Sequence, residues 1–198
     1  MNKPLAKLAL LLAMSLALAA CKERSQSEKA PVQMPPILAS MTTPASAKDQ
    51  PMFTALTDTV AVAPQIAVEQ VAAAKAQGVT MIINNRPDGE DPSAPQGAAI
   101  AAAAAAAGID YVAIPVTHAG FSAPQVDAMA AALTKAQSGG GKVLAYCRSG
   151  TRSTLLWSLA QAKQGESPAD LTRIAANAGY DLTPIRAMLD ALSSQPKQ

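Results

Sequence analysis

Apolar runs of strand length alternate with stretches of helical composition along most of this chain, and no other feature constrains the fold as strongly. The strand runs are almost continuously apolar, which is typical of strands buried on both faces; they lie at 59–63, 79–84, 109–116 and 142–146. Helices are predicted at 64–77, 98–107 and 122–137, and at about 153–163, 167–178 and 182–192. This alternation predicts an α/β fold with a central, mostly parallel sheet of four to five strands and helices on both faces.

The first 20 residues have the layout of a secretory signal peptide. Lys3 and Lys7 precede a nearly unbroken apolar run at 8–18, which is shorter than the roughly 20 apolar residues of a permanent membrane span. Leu-Ala-Ala-Cys at 18–21 matches the lipobox of bacterial lipoproteins, which predicts cleavage before Cys21 and acylation of that residue. Ordinary cleavage at a small residue, leaving Cys21 as a plain thiol, is the alternative.

A flexible tether is predicted at 21–51, because this stretch is rich in Pro, Ser, Ala, Gln and Lys and has no apolar period. One domain of ordinary size is expected at 52–194. The acyl chains would be the only membrane contact, and the domain would face the periplasm. Lys22, rather than an aspartate, after the acylated cysteine fits an anchor in the outer membrane of a Gram-negative envelope.

Charge and cysteine content exclude several classes of function. The chain has 16 Lys and Arg against 14 Asp and Glu, and loss of residues 1–20 removes two lysines, so the remainder is formally neutral. With 3% aromatic residues and no basic stripe, nucleic acid is not an expected partner. If Cys21 is acylated, Cys147 has no partner for an intramolecular disulfide. One free cysteine and one histidine cannot complete a cysteine-based metal site of the zinc type. No metal and no cofactor are expected.

The predicted strand at 142–146 runs directly into a six-residue loop, and a helix-forming stretch follows it. The loop consists of Cys147, Arg148, Ser149, Gly150, Thr151 and Arg152. A short loop at a helix N-terminus turns its backbone N–H groups inward and forms a concave anion site.

These features predict a role for each residue of the loop. The helix dipole and the two arginines favour a thiolate at Cys147. The backbone of 148–151 would bind an oxyanion, Gly150 would allow the tight turn, and Arg152 would clamp the anion bidentately. Ser153 is expected to donate a hydrogen bond to the sulfur. The alternative is an inert, buried cysteine in a loop that contains two arginines.

The Cys-X4-Arg spacing resembles the active loop of rhodanese-type sulfurtransferases, while tyrosine and dual-specificity phosphatases have one residue more. Three other segments narrow the resemblance: Ile-Ile-Asn-Asn-Arg-Pro-Asp-Gly-Glu at 82–90, Tyr-Val-Ala-Ile-Pro-Val at 111–116 and Gly-Tyr-Asp-Leu-Thr-Pro at 179–184. Together they are similar to a bacterial family called the beta-lactamase-hydrolase-like phosphatase domain, DUF442 or a sulfur transferase. The resemblance covers about 52–192. It implies a dual-specificity-phosphatase-like fold with Cys147 as nucleophile and Arg152 as anion clamp.

Phosphatases of this type take their general acid from an aspartate on a loop that follows a strand ending in proline. The matching stretch here, 114–120, carries His118 at that place. Imidazole titrates near neutral pH, so His118 could serve as the acid, and a structural histidine bonded to the backbone is the alternative.

Arg86, Asp88 and Glu90 follow a strand that is expected to end on the same side of the sheet as the Cys loop. Arg86 could extend the anion site, and Asp88 or Asp91 could be an alternative acid. A Pro-Asp-Gly turn with solvated charges explains the same residues.

Three functions follow from these observations. The first is a phosphatase-like hydrolase that acts on a phosphorylated or other oxyanion substrate through a phosphocysteine. The second is a sulfurtransferase in which Cys147 carries a persulfide, because a smaller loop suits a terminal sulfur. The third is a catalytically weak, anion-binding module of the envelope, for which the missing aspartate is the support.

Overall fold

A five-stranded sheet forms the centre of residues 52–195, the part of the chain that the computed structural model describes. Its strands are β1 Thr54–Ala55, β2 Val60–Ala63, β3 Val79–Asn84, β4 Asp110–Ala113 and β5 Lys142–Tyr146. The strand order is β1-β2-β5-β3-β4; β1 pairs with β2 antiparallel, and every other pairing is parallel. The predicted α/β fold with a mostly parallel sheet is confirmed.

Helices cover both faces of this sheet, as the alternating pattern predicted. They are α1 Gln70–Ala76, α2 Gly97–Ala106, α3 Ala123–Ser138, α4 Thr151–Lys163, α5 Pro168–Asn177 and α6 Arg186–Ser193, with a 3-10 turn at Thr183–Ile185 before α6. The apolar residues of α1 and α2 belong to one core cluster, and those of α3 to α6 belong to another. The sheet separates the two clusters.

Strand β5 shows why the central strands are continuously apolar. Val143 and Ala145 belong to the core under α3 to α6, while Leu144 and Tyr146 belong to the core under α1 and α2. All four are at most 1% exposed, because successive side chains of a strand point to opposite faces and both faces are covered here. A charged residue at any of these positions would lie in an apolar core.

Two predicted boundaries on the early part of the chain are wrong. The helix predicted at 64–77 begins only at Gln70, because the backbone N–H of Gln65 donates to the Arg148 carbonyl and Ile66 is buried. The strand predicted at 109–116 ends at Ala113. Pro115 has no N–H for the ladder, although the N–H of Ile114 still donates to the Asn84 carbonyl at 2.8 Å.

The later helices also differ in their bounds. Helix α4 begins at Thr151, two residues earlier than predicted, with Gly150 as its N-cap residue. The last helix, predicted at 182–192, divides into the 3-10 turn and α6. The two-residue strand β1 was not predicted, because so short a segment has no detectable period.

The signal peptide at 1–20, the lipidation site Cys21 and the tether at 21–51 lie outside the described residues and stay predictions. Among the helices of 52–195, none has both the length and the apolar character required to span a bilayer.

Candidate active site

The loops that follow four parallel strands meet at one edge of the sheet. The register places Ala63 beside Tyr146, and Tyr146 beside Asn84, which pairs with Ala113 on its other side. Strand ends in register bring the following residues together at the carboxyl edge, where open α/β sheets bind ligands. Cys147 follows β5 directly and therefore lies at the centre of this edge.

The Cys loop connects β5 to α4, as its place between a predicted strand and a predicted helix indicated. Cys147 is wholly buried, and the backbone N–H of Gly150 donates to its sulfur at 3.2 Å. The carbonyl of Gly150 accepts hydrogen bonds from the backbone N–H and the hydroxyl of Thr154, both at 3.0 Å. The loop is thereby attached to the first turns of α4, and the sulfur lies at the positive end of that helix.

Gly150 occupies a position that only glycine fits. Its φ is +88°, in the left-handed region. A Cβ built there would lie 2.2 Å from the hydroxyl oxygen of Tyr180. Both the backbone conformation and the neighbouring phenol therefore exclude a side chain from this place.

Arg152 is held in place by two acceptors from outside the loop. Its Nη1 donates to the Val116 carbonyl at 2.8 Å, and its Nη2 donates to Glu90 Oε2 at 2.9 Å. Burial, the largest influence, works against the charged guanidinium, but the Glu90 hydrogen bond and the nearby Cys147 sulfur outweigh it and raise the pKa of Arg152. The structure thus places the Arg152 guanidinium close to the Cys147 sulfur.

Glu90 connects Arg152 with Arg86. The same Oε2 atom accepts from Arg86 Nε at 2.7 Å, and Arg86 Nη1 donates to Gln65 Oε1 at 2.8 Å. The hydrogen bond from Arg152 is the main cause that lowers the pKa of Glu90 below its ordinary value. The sequence placed Glu90 at this edge of the sheet but indicated no role for it, and it gave no indication of Gln65. Nothing in the local pattern distinguishes Glu90 from a solvated turn residue.

The side chains of Arg148, Ser149 and Thr151 face solvent. Arg148 and Ser149 are exposed, and the Ser149 hydroxyl lies 3.1 Å from that of Thr151. The contact that the structure gives Arg148 is through its carbonyl, which accepts from the N–H of Gln65. Both side chains are therefore at the rim of the loop.

The expectation for Ser153 is not met. Ser153 is wholly buried, and its hydroxyl has no hydrogen-bond partner among residues 52–195, so it does not donate to the sulfur. Because α4 begins at Thr151, residue 153 already belongs to the first turn and its side chain enters the interior.

His118 lies in a tight turn beside the Arg152 contact. The turn runs from Thr117 to Gly120, whose N–H donates to the Thr117 carbonyl at 3.2 Å, and it directly follows Val116. The chain before the turn is fixed to α3, since Gln125 Nε2 donates to the Pro115 carbonyl at 2.6 Å. The imidazole is exposed and has no hydrogen-bond partner within 52–195.

The two aspartates considered as alternative acids have structural contacts. Asp88 Oδ1 accepts the N–H of Gly97 at 2.7 Å and so caps the start of α2. Asp91 accepts from the hydroxyl and the N–H of Ser93, which lower its pKa. These contacts favour the structural interpretation of both. Nowhere in the described region do three His, Cys, Asp or Glu side chains converge as a metal ion would require.

Comparison with known proteins places this arrangement in context. Residues 52–164 match the family described as "Beta-lactamase hydrolase-like protein, phosphatase-like domain". A beta-lactamase hydrolase-like protein of Agrobacterium fabrum is 35% identical over 120 residues, which are 60% of this chain and 27% of that protein. The chain spans about a quarter of the length of the curated relatives it matches.

Two solved structures are similar over most of the described region. The crystal structure of a provisionally assigned phosphatase from Neisseria meningitidis has 30% identity and a TM-score of 0.59, and the match covers 72% of this chain and 99% of that one. The crystal structure of Tk-PTP in the active form also gives a TM-score of 0.59 over 74% of this chain and 99% of its own, at 18% identity. The second likeness concerns the fold alone.

Proposed function

This chain belongs to the family of beta-lactamase hydrolase-like proteins, phosphatase-like domain, and we propose that it hydrolyses phosphomonoesters with Cys147 as the nucleophile. The observation that carries the proposal is the position of the sulfur. It lies at the start of α4, 3.2 Å from the donating N–H of Gly150, with the Arg152 guanidinium beside it. Such surroundings stabilise negative charge on sulfur and on a transferring phosphoryl group.

In the first step, the Cys147 thiolate attacks phosphorus in line with the ester oxygen. The S–P bond forms while the P–O bond to the alcohol breaks, and the leaving oxygen takes up a proton from a general acid. Backbone N–H groups of the loop and Arg152 bind the equatorial oxygens, where charge is concentrated. The products of this step are the free alcohol and a phosphocysteine.

In the second step, water attacks the phosphocysteine. An O–P bond forms and the S–P bond breaks, so that the electron pair returns to sulfur as thiolate and inorganic phosphate leaves. The group that gave up its proton in the first step takes one from the attacking water and is restored as the acid. The Gly150 N–H stabilises this leaving thiolate as it stabilised the nucleophile. No cofactor is required by either step.

Arg152 can bind the anion because its other contacts leave donors free. A guanidinium has five N–H donors, and two of them are used by Val116 and Glu90. The remaining three are available to phosphoryl oxygens. Glu90 is proposed to set the orientation of this fork, with Arg86 holding the carboxylate from its other side.

We assign the general acid to His118. Its support is the location of the 117–120 turn directly after Val116, whose carbonyl binds Arg152. Its exposed imidazole can approach a substrate bound at the mouth of the loop.

The test is hydrolysis of p-nitrophenyl phosphate by the full chain, with Cys147→Ser as the matched control. Phosphate release that disappears in the control supports the proposal. Rapid acid quench followed by intact mass measurement is expected to show one added phosphoryl group in the natural chain alone. Equal release by Cys147→Ser would refute a cysteine mechanism.

A sulfurtransferase is the second candidate, and the Cys-X4-Arg spacing supports it. Here the Cys147 thiolate would attack the outer sulfur of thiosulfate, release sulfite and keep a persulfide. Cyanide would then remove the sulfur as thiocyanate and restore the thiolate. Thiocyanate formation without phosphate release would favour this candidate. If the protein shows neither activity but still binds phosphate, the remaining interpretation is an anion-binding module.

The location of the protein is a separate proposal. We propose that Cys21 is acylated and that residues 21–51 tether the domain on the periplasmic side of the envelope, in the outer membrane. The lipobox at 18–21 and Lys22 are the support.

A further inference from the structure

Tyr180 reaches the Cys loop from a remote part of the chain. Its hydroxyl donates to the Ser149 carbonyl at 3.5 Å, and its ring carbons come as close as 3.0 Å to the place of a Cβ on Gly150. The phenol therefore fills the space beside the peptide whose N–H points at the Cys147 sulfur.

The position of Tyr180 is itself fixed by the end of α5. Gly179 adopts a φ of +85°, and the backbone N–H of Tyr180 donates a hydrogen bond to the Ala175 carbonyl at 2.8 Å. Leu182, two residues later, is buried in the core under α3 to α6. The backbone on both sides of Tyr180 is thus attached to the core, which holds the ring in a fixed position beside Gly150. We call the ring in this position the wedge.

We propose that Tyr180 is a positioning residue for the nucleophile, and this rests on the function proposed above. The ring packs against Gly150 and keeps that residue in its left-handed conformation, in which the N–H faces the sulfur. Without the ring, the Ser149–Gly150 peptide has room to rotate and the hydrogen bond to Cys147 is weakened. The thiolate and the leaving sulfur lose the same donor.

The electrostatic surroundings are consistent with a packing role for the phenol. Burial is the main cause that raises the pKa of Tyr180, so the ring is neutral at physiological pH. The charged group beside the sulfur is Arg152, which Glu90 faces from behind. Substitution of Tyr180 therefore changes geometry at the sulfur without removing a charge.

Three variants of the full chain test this proposal. Tyr180→Ala removes the wedge, Tyr180→Phe keeps the ring, and Ile174→Ala shortens a half-buried residue of the same core cluster on α5. Thiolate formation is followed by ultraviolet absorbance as a function of pH. The curve of the same variant carrying Cys147→Ser is subtracted as the blank. Steady-state hydrolysis of p-nitrophenyl phosphate is measured in parallel.

Tyr180→Ala is expected to move the midpoint of thiolate formation upward by about one pH unit. Its kcat is expected to fall about tenfold, with KM changed less than about twofold. Tyr180→Phe should stay near the natural chain, and Ile174→Ala should lower the melting temperature alone. If Tyr180→Ala does not fold, Tyr180→Leu keeps part of the packing and is expected to change both measurements in the same direction.

An unchanged thiolate midpoint in a folded Tyr180→Ala chain would overturn the proposal. So would an equal shift in Ile174→Ala. The thiolate measurement does not depend on turnover. Loss of the phosphatase hypothesis would therefore appear as an inactive natural chain, while the titration still decides the role of Tyr180.

Discussion

Replacement of Glu90 by glutamine tests how the anion-binding arginine is held. Glu90 Oε2 accepts from Arg86 Nε at 2.7 Å and from Arg152 Nη2 at 2.9 Å. Glutamine keeps one acceptor oxygen but loses the charge, and its amide group presents N–H donors to guanidiniums that can only donate. Both arginines would therefore lose the ion pair with Glu90 and could at best donate to a neutral oxygen.

The magnitude follows from the exposure of the three side chains. Hydrogen bonds to charged groups contribute about 1.5–3 kcal/mol, whereas exposed ion pairs contribute about 0.2–1 kcal/mol. The side chains of Arg86, Glu90 and Arg152 are 8%, 22% and 21% exposed, so this cluster lies between the two cases. We expect Glu90→Gln to lower the free energy of unfolding by about 1–2 kcal/mol. Because Arg152 loses its orientation, kcat/KM is expected to fall about tenfold.

Urea unfolding at neutral and at acidic pH measures the effect and its sign. The pKa of Glu90 lies below the ordinary 4.5, mainly because Arg152 donates to it. A lowered pKa in the folded state gives stabilisation that is present above 4.5 and is lost as the pH falls through the lowered value. The difference between the natural chain and Glu90→Gln is therefore expected to shrink in acid.

Asp190→Asn is the matched control. Arg186 and Asp190 have the same i,i+4 spacing as Arg86 and Glu90, but they are 57% and 53% exposed. Loss of this pair is expected to cost less than about 0.5 kcal/mol and to leave kcat/KM unchanged. An equal loss in the free energy of unfolding for both variants would refute the reasoning. So would a Glu90→Gln loss that stays the same as the pH is lowered into the acid range.

Three further outcomes are expected. Gly150→Ala should lower the free energy of unfolding by at least about 1–2 kcal/mol, because its φ of +88° disfavours a Cβ and Tyr180 occupies the space; chemical denaturation that shows no loss contradicts this. His118→Ala should slow hydrolysis of phenyl phosphate about a hundredfold and that of p-nitrophenyl phosphate much less, because only the poorer leaving group needs a proton; equal losses would remove His118 as the acid. Cys21→Ala should abolish incorporation of labelled palmitate in cells, and labelling that persists counts against the lipobox.

Strands β3 and β5 show how well the sequence predicted the centre of the fold. Both have the bounds that their apolar runs indicated, 79–84 and 142–146, because turn residues bound each run and both faces of the sheet are covered. Helix α1 shows where local pattern fails. Residues 64–69 have helical composition, yet Gln65 bonds to the Cys loop and Ile66 enters the core. Tertiary contacts outweigh helix propensities of a few tenths of a kcal/mol per residue.

The residues of the site also fall into two groups, those that are near one another in sequence and those that are distant. Cys147, Gly150 and Arg152 lie within six consecutive residues, so their relation depends on a few backbone torsions between a strand and a helix. Spacing alone predicted that the three residues share one strand-to-helix connection. Glu90 is 62 positions from Arg152, and Tyr180 is 31 from Ser149. No local rule connects such distant positions.

The sequence by itself determined the sheet with its two helical layers and the Cys loop at the end of a central strand. Only the tertiary structure decided which side chains surround that loop: Glu90 behind Arg152, Tyr180 against Gly150 and Ser153 turned into the core. The physical reason is that apolar periodicity and helix–strand propensity act between near neighbours in the chain. The orientation of an arginine or a peptide N–H depends on residues that the packing of the whole domain brings together.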